Sequence, residues 1–533
     1  MTNRATRISR RGRAGRVLVV GAGHNGLVCA VRLAESGIPV TVLEHSERPG
    51  GAVASGADTL PGFVHDHCAG FLPLTLASPA FEGLRERVEW VNPPIAMAHP
   101  FLDGTAITLQ RDLNATVASL EAAAPGAGRA WAELVIPLQA HRKQLLRTAL
   151  SPFPPLGPGL ALAAALRRDG VELARRMLAS TASLGRELFG DERATAWLSG
   201  SAMHGDITPG AAGGAAFAFF LHLLGHLVGW GFPRGGAGRL TDALVARLVE
   251  LGGELRCDAS VSSIVVREGR VTGVRLQGGD QITADAAVVT VSAGRLAAML
   301  PGRALPGRLT TRLETWRYGL GTFRLDYALS GPVPWANREA REAAVVHVAD
   351  TLPLMFRSHQ EAGAGRVPAE PALVVGQHTV HDRTRAPTGR HTLYVYTHVP
   401  QRLDVGEDAV VDRIERRLEA FAPGFSALVL ARAVRSPERL QAENPSLVGG
   451  DLAGGSFELD QQFIYRPAPE LFRGRTPLPG LYVAGGSVHP GGGVHGVSGT
   501  SAARLLVADL SPLGKLRSRA RARRAVTTQH SGT

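Results

Sequence analysis

Val17–Val20 (VLVV) is an unbroken apolar run, the pattern of a strand covered on both faces in a parallel sheet. A glycine turn follows, then apolar positions at helical spacing over 27–36, then Gly37 as a left-handed stop. A second apolar run, 40–43, ends at Glu44. Strand, turn, helix and strand within about 30 residues predict one βαβ unit. The pattern then turns irregular and proline-rich as far as Pro100. From there helical spacing dominates, predicting helices over 113–124, 130–150 and 160–184. The run AAGGAAFAFFLHLLGHLVGWGF (211–232) has the length of a membrane span, but His222 and His226 within it favour a buried helix.

Near Gly235 the character changes back. PRGGAGRLTDALVARLVELGGELRC reads as a turn, an amphipathic helix and a strand. Residues 259–291 then alternate in period two, with turns at Glu268-Gly269 and Gly278-Gly279. Residues 305–465 mix strands such as TFRLDYAL and HTLYVYTHV with a helix over 408–422. At Gly480 a short strand, LYVAGG, leads into a glycine-rich stretch, and a helix starts near Val497–Ser501.

The expected fold class is therefore α/β. A Rossmann-type nucleotide lobe is assembled from residues 16–95, 231–304 and 471–512. An α+β substrate lobe is inserted twice, as a helical part (96–230) and a mixed part (305–470). The 533 residues exceed what one core holds, in keeping with two lobes. No repeat of fixed period is visible.

Charge changes the picture only at the ends. The net charge is +12, and the six arginines of residues 1–16 with the five arginines and Lys515 of residues 513–533 account for all of it. Residues 1–15 and 513–533 are expected to be basic, disordered tails. The alternative is attraction of these arms to an anionic membrane surface, a peripheral contact. Nothing resembles a nucleic-acid-binding motif, so no nucleic-acid partner is expected. SRRGRAG (9–15) looks like the start of a twin-arginine export signal, but the apolar run behind it is accounted for by the first strand, and an export signal is not expected. Cys29, Cys68 and Cys257 follow no metal or redox spacing and read as reduced thiols of a cytoplasmic protein.

GAGHNG places Gly21, Gly23 and Gly26 in the dinucleotide fingerprint. The first permits the tight turn, the second lets backbone approach a pyrophosphate, and the third lets helix pack on strand. His24 and Asn25 lie inside this turn and are counted with the cofactor site. Glu44, at the end of the second strand, can accept hydrogen bonds from ribose hydroxyls and would repel a 2′-phosphate, which disfavours NADP. His45 adjoins it. Three features favour FAD over NAD. ERPGG supplies a second glycine turn, Gly50 and Gly51, beside Arg48. The strand VSSIVV, opening at Val261, is placed to present backbone to an adenine. The late glycine loop, Gly485, Gly486, Gly493, Val494 and His495, is expected to lie against a flavin ring, its glycines sparing the ring face a side chain. The helix behind it is expected to turn its N-terminus to the flavin edge.

The segments VLVVGAGHNGLVCAVRLAESGIPVTVLEHSERPGG, GFPRGGAGRLTDAL and GLYVAGGSVHPGGGVHGVSGTSAARLL resemble the phytoene desaturase-like FAD-dependent oxidoreductases, in the branch of phytoene dehydrogenase-related proteins. The resemblance covers most of residues 16–510. It implies a glutathione reductase-like, discontinuous FAD-binding lobe, non-covalent FAD and oxidation of a lipophilic, carotenoid- or isoprenoid-like substrate. Electrons would then pass to oxygen, a quinone or a dissociable partner. Related amine oxidase-type proteins often carry Arg after the second glycine pair. Here that position is Ala52, so no phosphate-binding arginine is transferred to it, and Arg48 is the substitute.

His495 and His489 flank the glycine loop and are the candidate catalytic groups, as base or substrate orienter. The plainer reading makes them loop histidines bonded to backbone or touching the flavin edge. HDH (65–67) has alternate spacing but no further ligand cluster, so no metal is expected. For His204 and Asp206, in MHGD, a helix-start role for Asp206 is the plain reading and a substrate-pocket role the alternative. Three classes of function remain: a dehydrogenase or desaturase, a redox-neutral flavin-dependent isomerase, and a non-catalytic flavoprotein that binds a lipid or a protein partner.

Overall fold

A computed structural model describes residues 15–511 apart from 303 and 472. The basic tails lie outside the described residues, except Gly15. A five-stranded parallel sheet runs in the order Leu481–Val483, Ala286–Val289, Val17–Val20, Val40–Leu43, Glu254–Arg256. Its strands thus come from the start, middle and end of the chain. The first strand is apolar throughout because both faces are covered. Val17, Val19, Ala286 and Val288 face helices His24–Glu35, Gly238–Glu250 and Val497–Leu510. Leu18, Val20, Ala287 and Val289 face an antiparallel sheet of Val261–Arg267, Arg270–Leu276 and Gln281–Thr283.

The second layer system is a seven-stranded mixed sheet. Its order is Val429–Arg435, Gly321–Leu329, His391–Val399, Leu373–Gly376, Val345–Val348, Ile95–Pro100, Ala106–Gln110. One face packs on helix Glu407–Phe421 through Ile414 and Leu418. The helical segments cover much of the other face, around Trp131, Trp197 and Phe219.

The helices are shorter than the apolar periodicity suggests. The predicted 130–150 helix is two, Ala127–Ala140 and Arg142–Ala149, broken at His141. The predicted 160–184 helix is interrupted twice. It breaks at Arg167, whose φ is 49°, and at Ser180, whose hydroxyl accepts from Ser183 N–H and starts a new helix. The long apolar run contains helix Gly214–Leu227, of 14 residues, and then strand Phe232–Pro233. Its histidines are neutral: burial lowers His222 to about 3 and His226 to about 4, and His226 Nε2 accepts from Trp131 Nε1 at 3.0 Å. Among the described residues no helix is long and apolar enough to cross a membrane. Asp206 opens no helix; it lies half-buried eight residues before Gly214, and desolvation raises its carboxyl.

Candidate cofactor and active site

The carboxyl ends of the parallel strands meet at one cleft of about 1080 Å³, where Val20, Leu43, Thr290 and Gly485 line the wall. Strand ends are where open α/β sheets leave room for ligands. The glycine turn is built as its spacing suggests. A Cβ on Gly26 would strike the Gly21 carbonyl oxygen, so helix and strand meet there without a side chain. A Cβ on Gly23 would meet no protein atom within 4 Å, because that side of the turn faces the cleft. Helix His24–Glu35 begins with no capping side chain and no acid in its first turn, so its first N–H groups suit an anion. Gly50 N–H donates to Ala22 carbonyl at 3.0 Å and ties the second glycine turn to the first.

Glu44 reaches the same turn. Its Oε2 accepts from Ala22 N–H at 2.6 Å and its Oε1 from Ser46 N–H at 3.0 Å. Ala259 N–H donates to Glu44 carbonyl at 2.8 Å, which brings Ser260 and Val261 to the cleft wall. His45 and Arg48 line the same end; the Arg48 side chain is 83% exposed and lies 3.6 Å from Glu47. This donor and acceptor set fits a dinucleotide: an uncapped helix start, an open backbone turn, an acid at the strand end and backbone at the far wall.

The late glycine loop comes to the opposite end of the cleft. Gly485, Gly486, Gly492 and Gly493 line it. The two glycine segments are stitched together by Ser498 Oγ, which donates to Asn25 Oδ1 at 2.9 Å and accepts from Gly485 N–H at 3.1 Å. His24 is held neutral, lowered to about 3 by burial and then by neighbouring His495, and its ring bonds to Gly493 backbone.

The reason for the glycines differs from the expected one. Their missing side chains face protein. A Cβ on Gly492 would lie 2.8 Å from Ala453 Cα, one on Gly491 2.8 Å from Arg466 Nε, and one on Gly499 would strike Asn25 carbonyl. The loop is glycine-rich because three other segments press on it. Arg466, fully buried, is one clamp: its Nε donates to Gly486 carbonyl at 3.1 Å and its Nη2 to Ala453 carbonyl at 2.8 Å.

His495 is also placed differently from expectation. It is buried behind the cleft wall. Its Nδ1 accepts from Val497 N–H at 3.1 Å, so Nε2 carries the hydrogen and donates to Gly491 carbonyl at 3.0 Å. Burial lowers it to about 4. Both nitrogens serve the loop and neither is left for a substrate. His489 packs on Phe153 and Phe463, with ring centroids 5.6 and 6.3 Å away, and burial lowers it to about 4. Val494 and the start of helix Val497–Leu510 likewise lie behind the lining, where Gly496 approaches Phe81 and Ala80.

Residues to which the sequence assigned no part in the cleft stand on its wall instead. Asp58, His67, Cys68 and Arg435 line it. Asp58 Oδ1 lies 3.0 Å from Arg435 Nη2 and 3.4 Å from His67 Nε2. Arg435 reaches on to Asp326 at 2.8 Å, and Asp326 also binds Arg324. Asp66, in the same HDH motif, is buried on Arg385 at 2.6 Å and accepts from Ser55 hydroxyl and Ala237 N–H, both at 2.7 Å. Its carboxyl is lowered to about 2, because Arg385 outweighs the cost of burial. HDH therefore belongs to a buried ion-pair network that joins the nucleotide side to the mixed sheet. Among the described residues no group of three metal-ligating side chains could hold a metal. The signal for this network was the arginines on strands, and it is weak because partners lie hundreds of residues apart.

The chain matches the family described as flavin containing amine oxidoreductase over residues 26–507. It belongs to that family. As a flavin-containing amine oxidoreductase family member it is an FAD-dependent oxidoreductase. Pyridine nucleotide-disulfide oxidoreductase domain-containing protein 2 of Rattus norvegicus is 27% identical, over 92% of this chain and 93% of its own. Hydroxyneurosporene desaturase of Cereibacter sphaeroides is 29% identical, over 93% and 98%. The latter bears out the resemblance to phytoene desaturase-like oxidoreductases. An oxidoreductase from Methanosarcina mazei has the same fold, with a TM-score of 0.60 at 17% identity, over 92% of this chain and 100% of that one.

Proposed function

We propose that this oxidoreductase dehydrogenates an uncharged, lipophilic substrate of carotenoid or isoprenoid type. One observation carries the reading. Every acidic side chain on the cleft wall is engaged or points to solvent. Glu44 is bonded to backbone, Asp58 and Glu443 to Arg435, and Asp242 lies 3.6 Å from Arg239. Glu47 is exposed beside Arg48. Each cleft carboxylate already has a cationic or backbone neighbour; only Asp58 Oδ2 has no hydrogen-bond partner, and a substrate ammonium there would have to compete with Arg435 for the same carboxylate. The name of the Cereibacter relative supports the same substrate class.

In this reading the Gly21–Gly26 turn and the start of helix His24–Glu35 hold the pyrophosphate. Glu44 holds the ribose, and the backbone at Val261 meets the adenine. Gly50, Gly51 and Arg48 close over the phosphates. Gly485, Gly486 and Gly493 flank the flavin, with Val494 and His495 supporting them from behind. Bound FAD supplies a two-electron acceptor for hydride from a substrate C–H bond. The protein's part is to hold that bond in place and keep water out. Cys68 lines the cleft, and Tyr394 and Tyr396 stack on one another outside its lining, with Tyr394 under the Arg324 guanidinium at 4.7 Å. Burial raises both phenols, so they remain neutral hydrogen-bonding groups.

Anaerobic mixing of the yellow holoprotein with detergent-dispersed acyclic polyenes, and separately with aliphatic amines, tests this. Bleaching of the flavin by polyenes only is expected, with one oxygen or quinone consumed per product on aeration. Bleaching by amines only would overturn it. Product formed with no acceptor consumed would mark an isomerase.

A further inference from the structure

Dehydrogenation of two adjacent C–H groups releases a hydride and a proton. The flavin takes the hydride, and the proton needs an acceptor. Most of the cleft wall cannot supply one. Among the described residues its lining has no tyrosine and no lysine. Cys68 is a thiol, because burial raises it. Glu44 is tied to backbone N–H groups, Glu443 is tied to Arg435, and Glu47 and Asp242 are exposed. Three histidines line the cleft. His24 is neutral and bonded to Gly493 backbone, and His45 is exposed beside Glu44. His67 is the one left uncommitted.

A short ladder sets its place. Strand His65–Asp66 pairs with Ser55–Gly56. Beyond it, His67 N–H donates to Ala54 carbonyl at 2.8 Å and Ala69 N–H to Ala52 carbonyl at 3.0 Å. His67 therefore lies beside the segment that leaves the second glycine turn. Its Nε2 stands 3.4 Å from Asp58 Oδ1. Gly56 permits the approach: a Cβ there would fall 2.8 Å from Nε2 and 3.3 Å from Asp58 Oδ1. Asp58 is ionised. Burial opposes its charge, but the His67 ring and the Arg435 guanidinium, 3.0 Å away, hold its carboxyl well below the usual range. Nε2 is close to Asp58 without being aligned as a hydrogen bond, and it has no other partner. Catalytic hydrogen bonds often tighten in this way only when substrate is bound. A carboxylate beside Nε2 puts the ring hydrogen there and leaves the Nδ1 lone pair free. Among the described residues nothing bonds Nδ1, and the side chain is 35% exposed on the cleft wall.

We propose that His67 is the base of the reaction and that Asp58 is the positioning residue that sets its tautomer. This rests on the dehydrogenase reading. One substrate C–H bond gives its hydrogen and both electrons to FAD, which is thereby reduced by two electrons. The adjacent C–H bond gives its proton to His67 Nδ1, and the electron pair it leaves forms the new C=C bond. The imidazolium is paired with Asp58 until the proton passes to water at the exposed edge of the ring. The charges around the pair are Arg435 of strand Val429–Arg435, Glu443 of helix Pro437–Glu443 and, behind Arg435, Asp326 of strand Gly321–Leu329. Burial keeps His65 and Cys68 uncharged beside it.

Two measurements on the holoprotein test this. The first uses no substrate. Both hydrogens leave adjacent carbons, so the base must stand close to the flavin ring. Acidification from about pH 8 to about pH 5 should shift the flavin absorbance of wild type and not that of His67→Gln. Identical titrations would overturn the proposal. The second is the rate of anaerobic flavin reduction by a detergent-dispersed acyclic polyene. His67→Ala should be slower by about 100-fold or more, with flavin content and melting temperature of wild type, and added imidazole should restore part of the rate. Asp58→Asn, which offers Nε2 a donor and moves the ring hydrogen to Nδ1, should also be slow. Imidazole should not rescue it, because the ring still fills the site. An undiminished rate in His67→Ala would overturn the proposal. A wild-type flavin that polyenes do not bleach would sink the lipophilic reading instead, and the substrate-free titration would still decide whether His67 faces the ring.

Discussion

A methyl group added at position 23 and one added at position 26 should have opposite effects. At Gly23 it would enter the cleft and touch no protein atom; at Gly26 it would strike the Gly21 carbonyl. Gly23→Val should therefore leave the melting temperature of the apoprotein unchanged and abolish FAD retention, whereas Gly26→Val should destabilise the fold itself. Thermal melting and flavin absorbance of the two variants check this, and a Gly23→Val protein that stays yellow would remove the turn from the phosphate site. Glu44→Ala should weaken FAD by about 1.5–3 kcal/mol, one charge-assisted pair, read as a fluorescence titration of flavin into apoprotein. These positions were legible in the sequence because their contacts are local. His495 was not. A histidine between glycines looks the same whether its ring faces a substrate or a backbone N–H. Only the fold shows Val497 N–H on its Nδ1.

The unit formed by strand Leu481–Val483, the glycine loop and helix Val497–Leu510 was also legible, from an apolar run, a break and a helix start. What presses on the loop was not, since residues 451–456 and Arg466 have no periodic signature that announces the contact. Those contacts change what a substitution does. Gly492→Val would push on Ala453 instead of entering the cleft, so it should lower the melting temperature and the flavin content together. Overpacking of this kind costs about 1–3 kcal/mol. A normal melting curve with altered flavin spectrum would instead place that side chain on the ring. The helix breaks at His141 and Arg167 escaped the periodicity for a similar reason: apolar spacing continues through them while the backbone turns.

Across the whole molecule, buried neutral histidines set a stability window. Burial lowers His99, His204 and His398 to about 4, and His347 well below its usual value. His204 and His347 share a bond of 2.9 Å between their Nε2 atoms, so one must donate and both stay uncharged. An unfolded histidine takes up its proton near pH 6.5, whereas His99, His204 and His398 do so in the folded state only near 4. Between those values the unfolded chain binds more protons, so stability falls as pH falls. Above about pH 6.5 the contribution is complete, and melting temperature should be nearly flat there, then drop steeply towards about pH 4. A melting temperature that held or rose on acidification would contradict the burial of this cluster. The parallel sheet has a further consequence, for biosynthesis. Leu481–Val483 pairs with Ala287–Val289, and Gly499 rests on Asn25, so the sheet edge at Ala286–Val289 and one face of helix His24–Glu35 stay uncovered until the end of the chain is made. Some 450 residues must be translated after helix His24–Glu35 before helix Val497–Leu510 arrives to cover it. The cofactor lobe thus closes last, and a nascent chain stalled or truncated before residue 481 is a client for chaperones, whatever the quality of its own first fold.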